Sequence, residues 1–112
     1  MANTLDFTKI KKKYLTVTLA DEQNTVIMIG MPTKAIMDEL TALKSMLENM
    51  EGDPDNETMG ELYEACAKVM SRNKTMKKIE KEHLEKIFDF EDIIIFFNAY
   101  MDFINALALE KN

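Results

Sequence analysis

Residues 89–109 read DFEDIIIFFNAYMDFINALAL, and this stretch decides the fold. It contains no glycine or proline, and its opening carboxylates suit the cap and first turn of a helix. On a helix, three polar side chains would share one narrow strip: Asn98, Asp102 and Asn105. Nearly all the others are aliphatic or aromatic, and such a helix must be covered almost all round. A chain of 112 residues is small for that task, so the stretch predicts a partner.

Two apolar seams run along this predicted helix. The first consists of Phe90, Ile93 or Ile94, Phe97, Met101, Ile104 and Ala108. The second consists of Ile95, Phe96, Ala99, Phe103, Ala106 and Leu107. We expect one seam to close the core and the other to bind a second chain. Our candidate partner-binding residues are Ile95, Phe96, Ala99, Phe103 and Leu107.

Three alternatives for this segment stay open. The helix could be central, with the hairpin and the other helices covering both seams. Either seam could be the exposed one. Residues 93–97 could also form a short apolar strand, although the preceding cap and the lack of breakers favour a helix.

The N-terminal part predicts a β-hairpin over residues 14–29. Residues 14–19, YLTVTL, alternate with a period of two, residues 20–24 supply turn formers, and residues 25–29, TVIMI, return. A two-stranded ribbon is marginal alone, so it must pack on helices or pair with another strand. That pairing could lie within the monomer or across chains, and the outer edges are potential sites of strand addition.

The middle of the chain predicts three helices. Thr33 is a candidate N-cap for a helix to about Met50, whose apolar stripe is Ile36, Leu40, Leu43, Leu47 and Met50. After an acidic loop at residues 51–57, Thr58 and Glu61 have the spacing of a capping box for a second helix, which fades near residues 71–73. A basic connector leads to a short helix over residues 80–88.

Together these elements predict an α+β fold in one domain of residues 1–112. An N-terminal β-hairpin packs on a mainly helical body, residues 33–110, of about four helices, the last one long and strongly apolar. Residues 1–13 are expected to be a loosely held arm that Leu5, Phe7 and Ile10 pin to the body.

The charge balance makes nucleic acid an unlikely partner. The net charge is −6, from 14 basic and 20 acidic residues, whereas phosphate backbones select basic faces. Two local groups are basic: Lys9, Lys11, Lys12 and Lys13, and then Lys74, Lys77, Lys78 and Lys81. We interpret them as solvated segments, and a nucleic-acid site would require them to converge in space.

The sequence predicts no enzyme: it offers no catalytic, cofactor-binding or metal-binding residues. There is one histidine and one cysteine, and no glycine-rich phosphate loop. Cys66 falls in an apolar stripe and is expected to be a buried core residue, and His83 is expected at the surface. The acidic loop lacks the spacing of a calcium-binding loop and more simply supplies charge to a helix N-terminus.

The same features predict a cytoplasmic protein that does not cross a membrane. A lone cysteine fits a reducing compartment, and the N-terminus has no secretory signal pattern. The longest apolar run is five residues, Ile93 to Phe97, too short for a bilayer. The ten methionines suit interaction surfaces that adapt to different partners, but the amino-acid composition typical of the genome would also explain them.

The order of elements resembles a known family. A hairpin ends in residues 25–33, TVIMIGMPT, a helix and an acidic loop follow, and a helical half closes with DFED at residues 89–92 and Ile104-Asn105. This layout, over most of residues 14–109, is similar to the small tail assembly chaperones encoded by phages and prophages of Gram-positive bacteria. The resemblance lies in the order of the elements and the general character of the sequence, and no functional motif is matched residue by residue.

The resemblance implies a non-enzymatic protein of the bacterial host cytoplasm. Such chaperones hold the tape measure protein soluble and help to recruit tail tube subunits. They tend to self-associate as homo-oligomers and are often made in a short and a frameshift-extended form. The competing hypothesis is a small homodimeric regulatory or structural phage or prophage protein without chaperone activity.

Overall fold

The computed structural model describes residues 5–6, 12–52 and 55–110, and side chains as far as Leu107. The elements are β1 (Leu15–Thr18), β2 (Val26–Ile29), α1 (Lys34–Glu48), α2 (Asn56–Ser71), α3 (Lys81–Ile87) and α4 (Phe90–Glu110). The predicted α+β fold, a hairpin with four helices of which the last is long, is confirmed. Most of the predicted arm, with Phe7 and Ile10, lies outside the described residues, and the side chain of Leu5 is exposed.

The two strands form an antiparallel hairpin with one apolar face. Leu15 pairs with Ile29 and Thr18 with Val26, and the turn is held by Asp21, whose carboxylate accepts from the Thr25 amide at 2.9 Å and hydroxyl at 2.7 Å. Leu19, Ile27 and Ile29 are buried. Because successive strand side chains alternate, Val26 and Met28 stand on the exposed face.

The outer edge of β2 is covered by the segment that follows α2. Asn73 forms an antiparallel bridge with Ile29, and the Lys74 amide donates to the Met28 carbonyl at 2.8 Å. The buried Asn73 side-chain amide donates to the carbonyls of Met70 and Lys77 and accepts from the Thr75 hydroxyl and the Lys77 amide. The connector predicted only as basic is therefore an ordered flank of the hairpin.

Helix α2 is the centre of the body. It packs against α1, α3, α4 and β2, and it buries Leu62, Cys66, Val69 and Met70. Its N-cap is Asp55, whose carboxylate accepts from the Thr58 amide at 2.7 Å. The helix thus starts earlier than the capping box predicted, and Thr58 is buried inside its first turn. The Thr33 cap of α1 is confirmed, with its hydroxyl accepting from the Ile36 amide.

Two hydrogen bonds and a reciprocal cap place α4. The Asp89 carboxylate accepts from the Asp92 amide at 2.8 Å, and the Asp92 carboxylate accepts from the Asp89 amide at 3.1 Å. The Tyr100 hydroxyl donates to the Gly30 carbonyl at 2.7 Å, which ties α4 to the end of the hairpin. The Tyr63 hydroxyl of α2 donates to the Phe88 carbonyl just before α4.

Candidate partner-binding surface

The buried side of α4 includes residues from both of the predicted seams. Its buried side chains are Ile93, Phe96, Phe97, Tyr100, Met101 and Ile104. Tyr100 makes contacts on two sides. Its hydroxyl donates a hydrogen bond to the end of the hairpin, and its ring stacks on those of Phe96 and Phe103, at centroid distances of 6.0 and 6.1 Å. Much of the apolar surface of α4 is therefore covered by the chain itself, although part of the second seam stays exposed.

The exposed side of α4 mixes apolar and polar residues. Its members are Glu91, Ile95, Asn98, Ala99, Asp102, Asn105 and Ala106, and Phe103 and Leu107 are half-buried at its border. The polar strip and part of the second seam thus lie together. We name the apolar part of this side the outer α4 stripe: Ile95, Ala99, Phe103, Ala106 and Leu107.

Four of the five candidate binding residues lie on this stripe and one does not. Ile95 is 60% exposed, Ala99 is exposed, and Phe103 and Leu107 are half-buried. Phe96 is only 7% exposed, so it belongs to the core rather than to a free surface. The sequence periodicity missed this because Phe96 lies one turn before Tyr100, and the Tyr100–Gly30 bond turns that side of the helix toward the body.

A second apolar surface lies between the end of α1 and the start of α4. It is an open groove of about 360 Å³, lined by Lys44, Leu47, Glu48, Met50, Gly52, Phe90, Ile94, Phe97 and Asn98. Sequence reasoning placed Phe90 and Ile93 or Ile94 on the first seam, which could close the core. Ile93 is fully buried, whereas Phe90 and Ile94 are half-buried in the groove wall. Helices α1 and α4 both pack on α2, and this leaves the space between them.

The methionines divide between core and surface. Met70 and Met101 are buried, whereas Met28, Met31, Met46 and Met76 are exposed. Met28 and Val26, which is 58% exposed, lie on the outer face of the hairpin, and Met31 is exposed in the segment after β2. The molecule therefore presents adaptable apolar side chains on several elements.

Cys66 and His83 have structural surroundings. Burial raises the pKa of the Cys66 thiol to about 12, so at neutral pH the thiol is protonated and not nucleophilic. The His83 Nε2 lies 3.1 Å from an Asp21 carboxylate oxygen, which links α3 to the hairpin turn. Hydrogen bonds from Thr25, and then the His83 contact, lower the pKa of Asp21 to about 2. His83, expected as a plain surface residue, is half-buried and connects two elements.

In the part of the chain described, the acidic loop holds no metal-binding group, and the two basic segments approach each other at one point. No group of three or more histidine, cysteine, aspartate or glutamate side chains there could hold a metal ion. The Lys74 ammonium lies 5.5 Å from the ring centroid of Tyr14, beside the first basic segment. Lys78 pairs with Glu80 at 3.6 Å, and Lys81 lies by Gly60 in α2. Lys9 and Lys11 lie outside the described residues.

Within the described residues, no helix combines the length and apolarity needed to cross a membrane. Neither the protein-family models, nor the curated proteins, nor the solved structures contain a match to this chain.

Proposed function

We propose that this protein is a non-enzymatic phage tail assembly chaperone that acts in the cytoplasm of the bacterial host. It binds apolar helical segments of the tape measure protein and, as a further partner, tail tube subunits. The observation that carries the proposal is the outer α4 stripe, an apolar helical surface with an exposed isoleucine at one end.

The stripe has the shape that a second helix needs. Ala99 and Ala106 are seven residues apart, which is about two turns, so they lie on one side of α4 and allow a close approach. Ile95, Phe103 and Leu107 flank these small residues and supply apolar area. Covering the rest of Ile95 alone is worth about 1–2 kcal/mol, a fraction of the full burial of such a side chain.

The polar residues beside the stripe suit temporary binding. Asn98, Asp102 and Asn105 are exposed along the same side of α4. They keep the free surface hydrated, and they limit how much apolar area one partner can cover. A chaperone must release its client during assembly, and a contact of modest area favours fast dissociation.

Exposed methionines support a client of variable sequence. Met28 presents its thioether side chain beside Val26 on the outer face of the hairpin, and Met31 is exposed just after β2. Unbranched thioethers adjust to differently shaped apolar partners at little strain. An extended client could therefore contact the hairpin as well as α4.

The test is co-expression with the tape measure protein from the neighbouring reading frame. We expect the wild-type chain to keep that protein soluble and to be retained by it in a pull-down, and Ile95→Asp to lose both effects. Met46→Asp is the matched control, because Met46 is also exposed on a helix, at 42%. An Ile95→Asp variant that solubilises the tape measure protein as well as wild type contradicts the assignment of the stripe. Failure of the wild type favours the regulatory or structural alternative.

A further inference from the structure

The segment between α2 and α3 is extended and is held from one side. The Lys77 amide donates to the Asn73 side-chain oxygen at 3.0 Å, and the Lys77 carbonyl accepts from the Asn73 side-chain nitrogen at 2.6 Å. The amide and carbonyl of Ile79 both bond to the Ser71 hydroxyl, at 2.9 and 3.1 Å. Because peptide directions alternate along an extended chain, the amide and carbonyl of Lys78 point to the opposite side. Neither has a hydrogen-bond partner in the described part of the chain.

A groove of about 830 Å³ lies beside this segment, between it and helices α1 and α2. We name it the connector groove. Its apolar lining residues are Ile36, Ala67, Met76 and Ile79, and no aromatic side chain belongs to the lining described. Lys78 is also part of the wall, so a chain that lies in the groove can reach its unpaired amide and carbonyl.

The charges of the connector groove change sign along α2. Glu64 lies in the middle of that helix, and the wall carboxylates Glu80 and Glu82 lie at the start of α3. At the other end, residues 65–79 contain five lysine and arginine residues and no carboxylate. Two of the five pair with surface glutamates, whereas Arg72 is exposed and forms no ion pair among the described residues. This end of the groove therefore suits a carboxylate.

We propose that the connector groove binds an extended acidic segment of a partner protein. The segment lies beside residues 76–80 as an added strand, and its main chain bonds to the amide and carbonyl of Lys78. Its carboxylates face Arg72, and its apolar side chains contact the apolar wall. This site is separate from the outer α4 stripe and goes beyond the proposed chaperone function.

The lining favours a polypeptide over other anions. A single-stranded nucleic acid would meet the Glu64 carboxylate and would find no aromatic ring on which to stack its bases. A membrane surface is broad and cannot enter a groove between helices. An extended peptide satisfies both the unpaired main-chain groups and the change of charge along the groove.

Met76 supports a partner at this position. Its φ is 61°, in the left-handed region that large side chains rarely adopt, and its side chain is 80% exposed. The Met76 amide donates to the Asn73 carbonyl at 3.0 Å, which helps to hold this conformation. Glycine would be unstrained here, so methionine brings the free protein neither backbone ease nor buried area. A peptide in the groove would cover the thioether.

The experiment measures the binding of a synthetic peptide by fluorescence anisotropy. The probe is fluorescein-labelled Thr-Val-Thr-Ile-Asp-Asp-Glu, which favours an extended chain and carries its carboxylates at one end. We expect saturable binding with a Kd of about 10–100 μM. Two altered peptides, one with lysines for the carboxylates and one N-methylated at its central residues, should bind about ten-fold more weakly or worse.

Variants of the protein test the same contacts from the other side. We expect Arg72→Glu to raise the peptide Kd by about five-fold or more. Lys44→Glu on α1 is the matched control, with the same change in net charge and no expected effect. Lys78→Pro removes the outward amide and no intrachain hydrogen bond, so the Kd should rise about ten-fold. Lys78→Ala keeps that amide and should change the Kd by about two-fold at most.

Met76→Gly separates a binding role from a structural one. We expect the peptide to bind about three-fold more weakly, because an apolar contact is lost. The urea midpoint of the variant should equal or exceed that of the wild type, since glycine relieves the left-handed backbone. If Lys78→Pro does not fold, the N-methylated peptide tests the main-chain contact with the protein unaltered.

Three results overturn the proposal. The first is a lack of saturable binding of the acidic peptide up to about one millimolar. The second is equal binding of the acidic peptide and either altered peptide. The third is tighter binding of anionic phospholipid vesicles or single-stranded oligonucleotide than of the peptide, with loss of that binding in Arg72→Glu. None of them bears on solubilisation of the tape measure protein by the outer α4 stripe.

Discussion

The two sides of α4 are close in sequence and opposite in environment. Ile93 and Ile95 are two residues apart, yet Ile93 has no exposed surface and Ile95 is 60% exposed. Both belong to one apolar run, IIIFF, at residues 93–97. The difference teaches that apolar character alone does not assign a residue to the core. The elements that pack on each side of the helix decide, here α2 on one side and solvent on the other.

Replacing the two isoleucines gives the largest expected contrast. We expect Ile93→Ala to lower the free energy of unfolding by about 2–5 kcal/mol, because it opens a cavity in a packed core. Ile95→Ala is the matched control and is expected to cost under about 1 kcal/mol, since most of that side chain already faces water. Urea unfolding measures both. Equal losses would mean that the two sides of α4 are covered alike.

Tyr100→Phe tests the bond that draws one side of α4 toward the hairpin. The change removes the donor to the Gly30 carbonyl and leaves the ring in place. We expect a loss of about 1–3 kcal/mol in the free energy of unfolding, because a partly buried carbonyl is left without its partner. A Tyr100→Phe variant as stable as wild type would remove our explanation of why Phe96 is buried.

Lowering the pH tests a second contact of the hairpin, the turn that is held by Asp21 and linked to α3 through His83. The pKa of Asp21 is lowered from 3.8 to about 2, so its ionised form stabilises the folded state. That contribution is complete above the unfolded value of 3.8 and is lost as the pH falls toward about 2. We expect Asp21→Asn to show a shallower loss of stability than wild type across this range, measured by circular dichroism.

A control separates the two partners of Asp21. The hydrogen bonds from Thr25 are the largest cause of the lowered pKa, and the His83 contact is smaller. We therefore expect His83→Ala to keep most of the acid dependence of the wild type. If the stability of His83→Ala depended on pH as weakly as that of Asp21→Asn, the acid dependence would arise from the link with α3 instead.

The smallest expected effect on stability comes from bulk added to the outer α4 stripe. Ala99→Leu enlarges an exposed residue, so the free energy of unfolding is expected to change by less than about 0.5 kcal/mol. A partner helix would lose its close approach, so retention of the tape measure protein should fall. Ala42→Leu, at an exposed position of α1, is the control for pull-down measurements. Unchanged retention for Ala99→Leu would move the binding site away from the stripe.

Prediction from the sequence succeeded where the signal was local. The alternation at residues 15–19 gave the hairpin, Thr33 and Asp89 gave two helix starts, and the burial of Cys66 followed from its stripe. It placed the start of α2 too late, because it considered only Thr58, whereas Asp55, three residues earlier, caps the helix. Caps compete locally, and neighbouring structure selects among them.

Prediction failed where a residue depends on distant partners. No periodic pattern marks Asn73, whose side chain satisfies four groups around the segment covering β2. The same holds for His83, which meets Asp21 from 62 residues away. Long-range contacts of single polar side chains leave no repeat in the sequence to read.

The sequence by itself determined the order of the elements, the helical state of the final apolar stretch and the lack of a local motif for chemistry. These follow from spacing, caps and residue types, which act within a few positions of the chain. Only the tertiary structure decided which sides of α4 are covered, that Phe96 lies in the core, and that the segment around Asn73 covers the outer edge of β2. Those outcomes depend on where α2, the hairpin and the segment around Asn73 come to lie, and packing is a property of the whole chain.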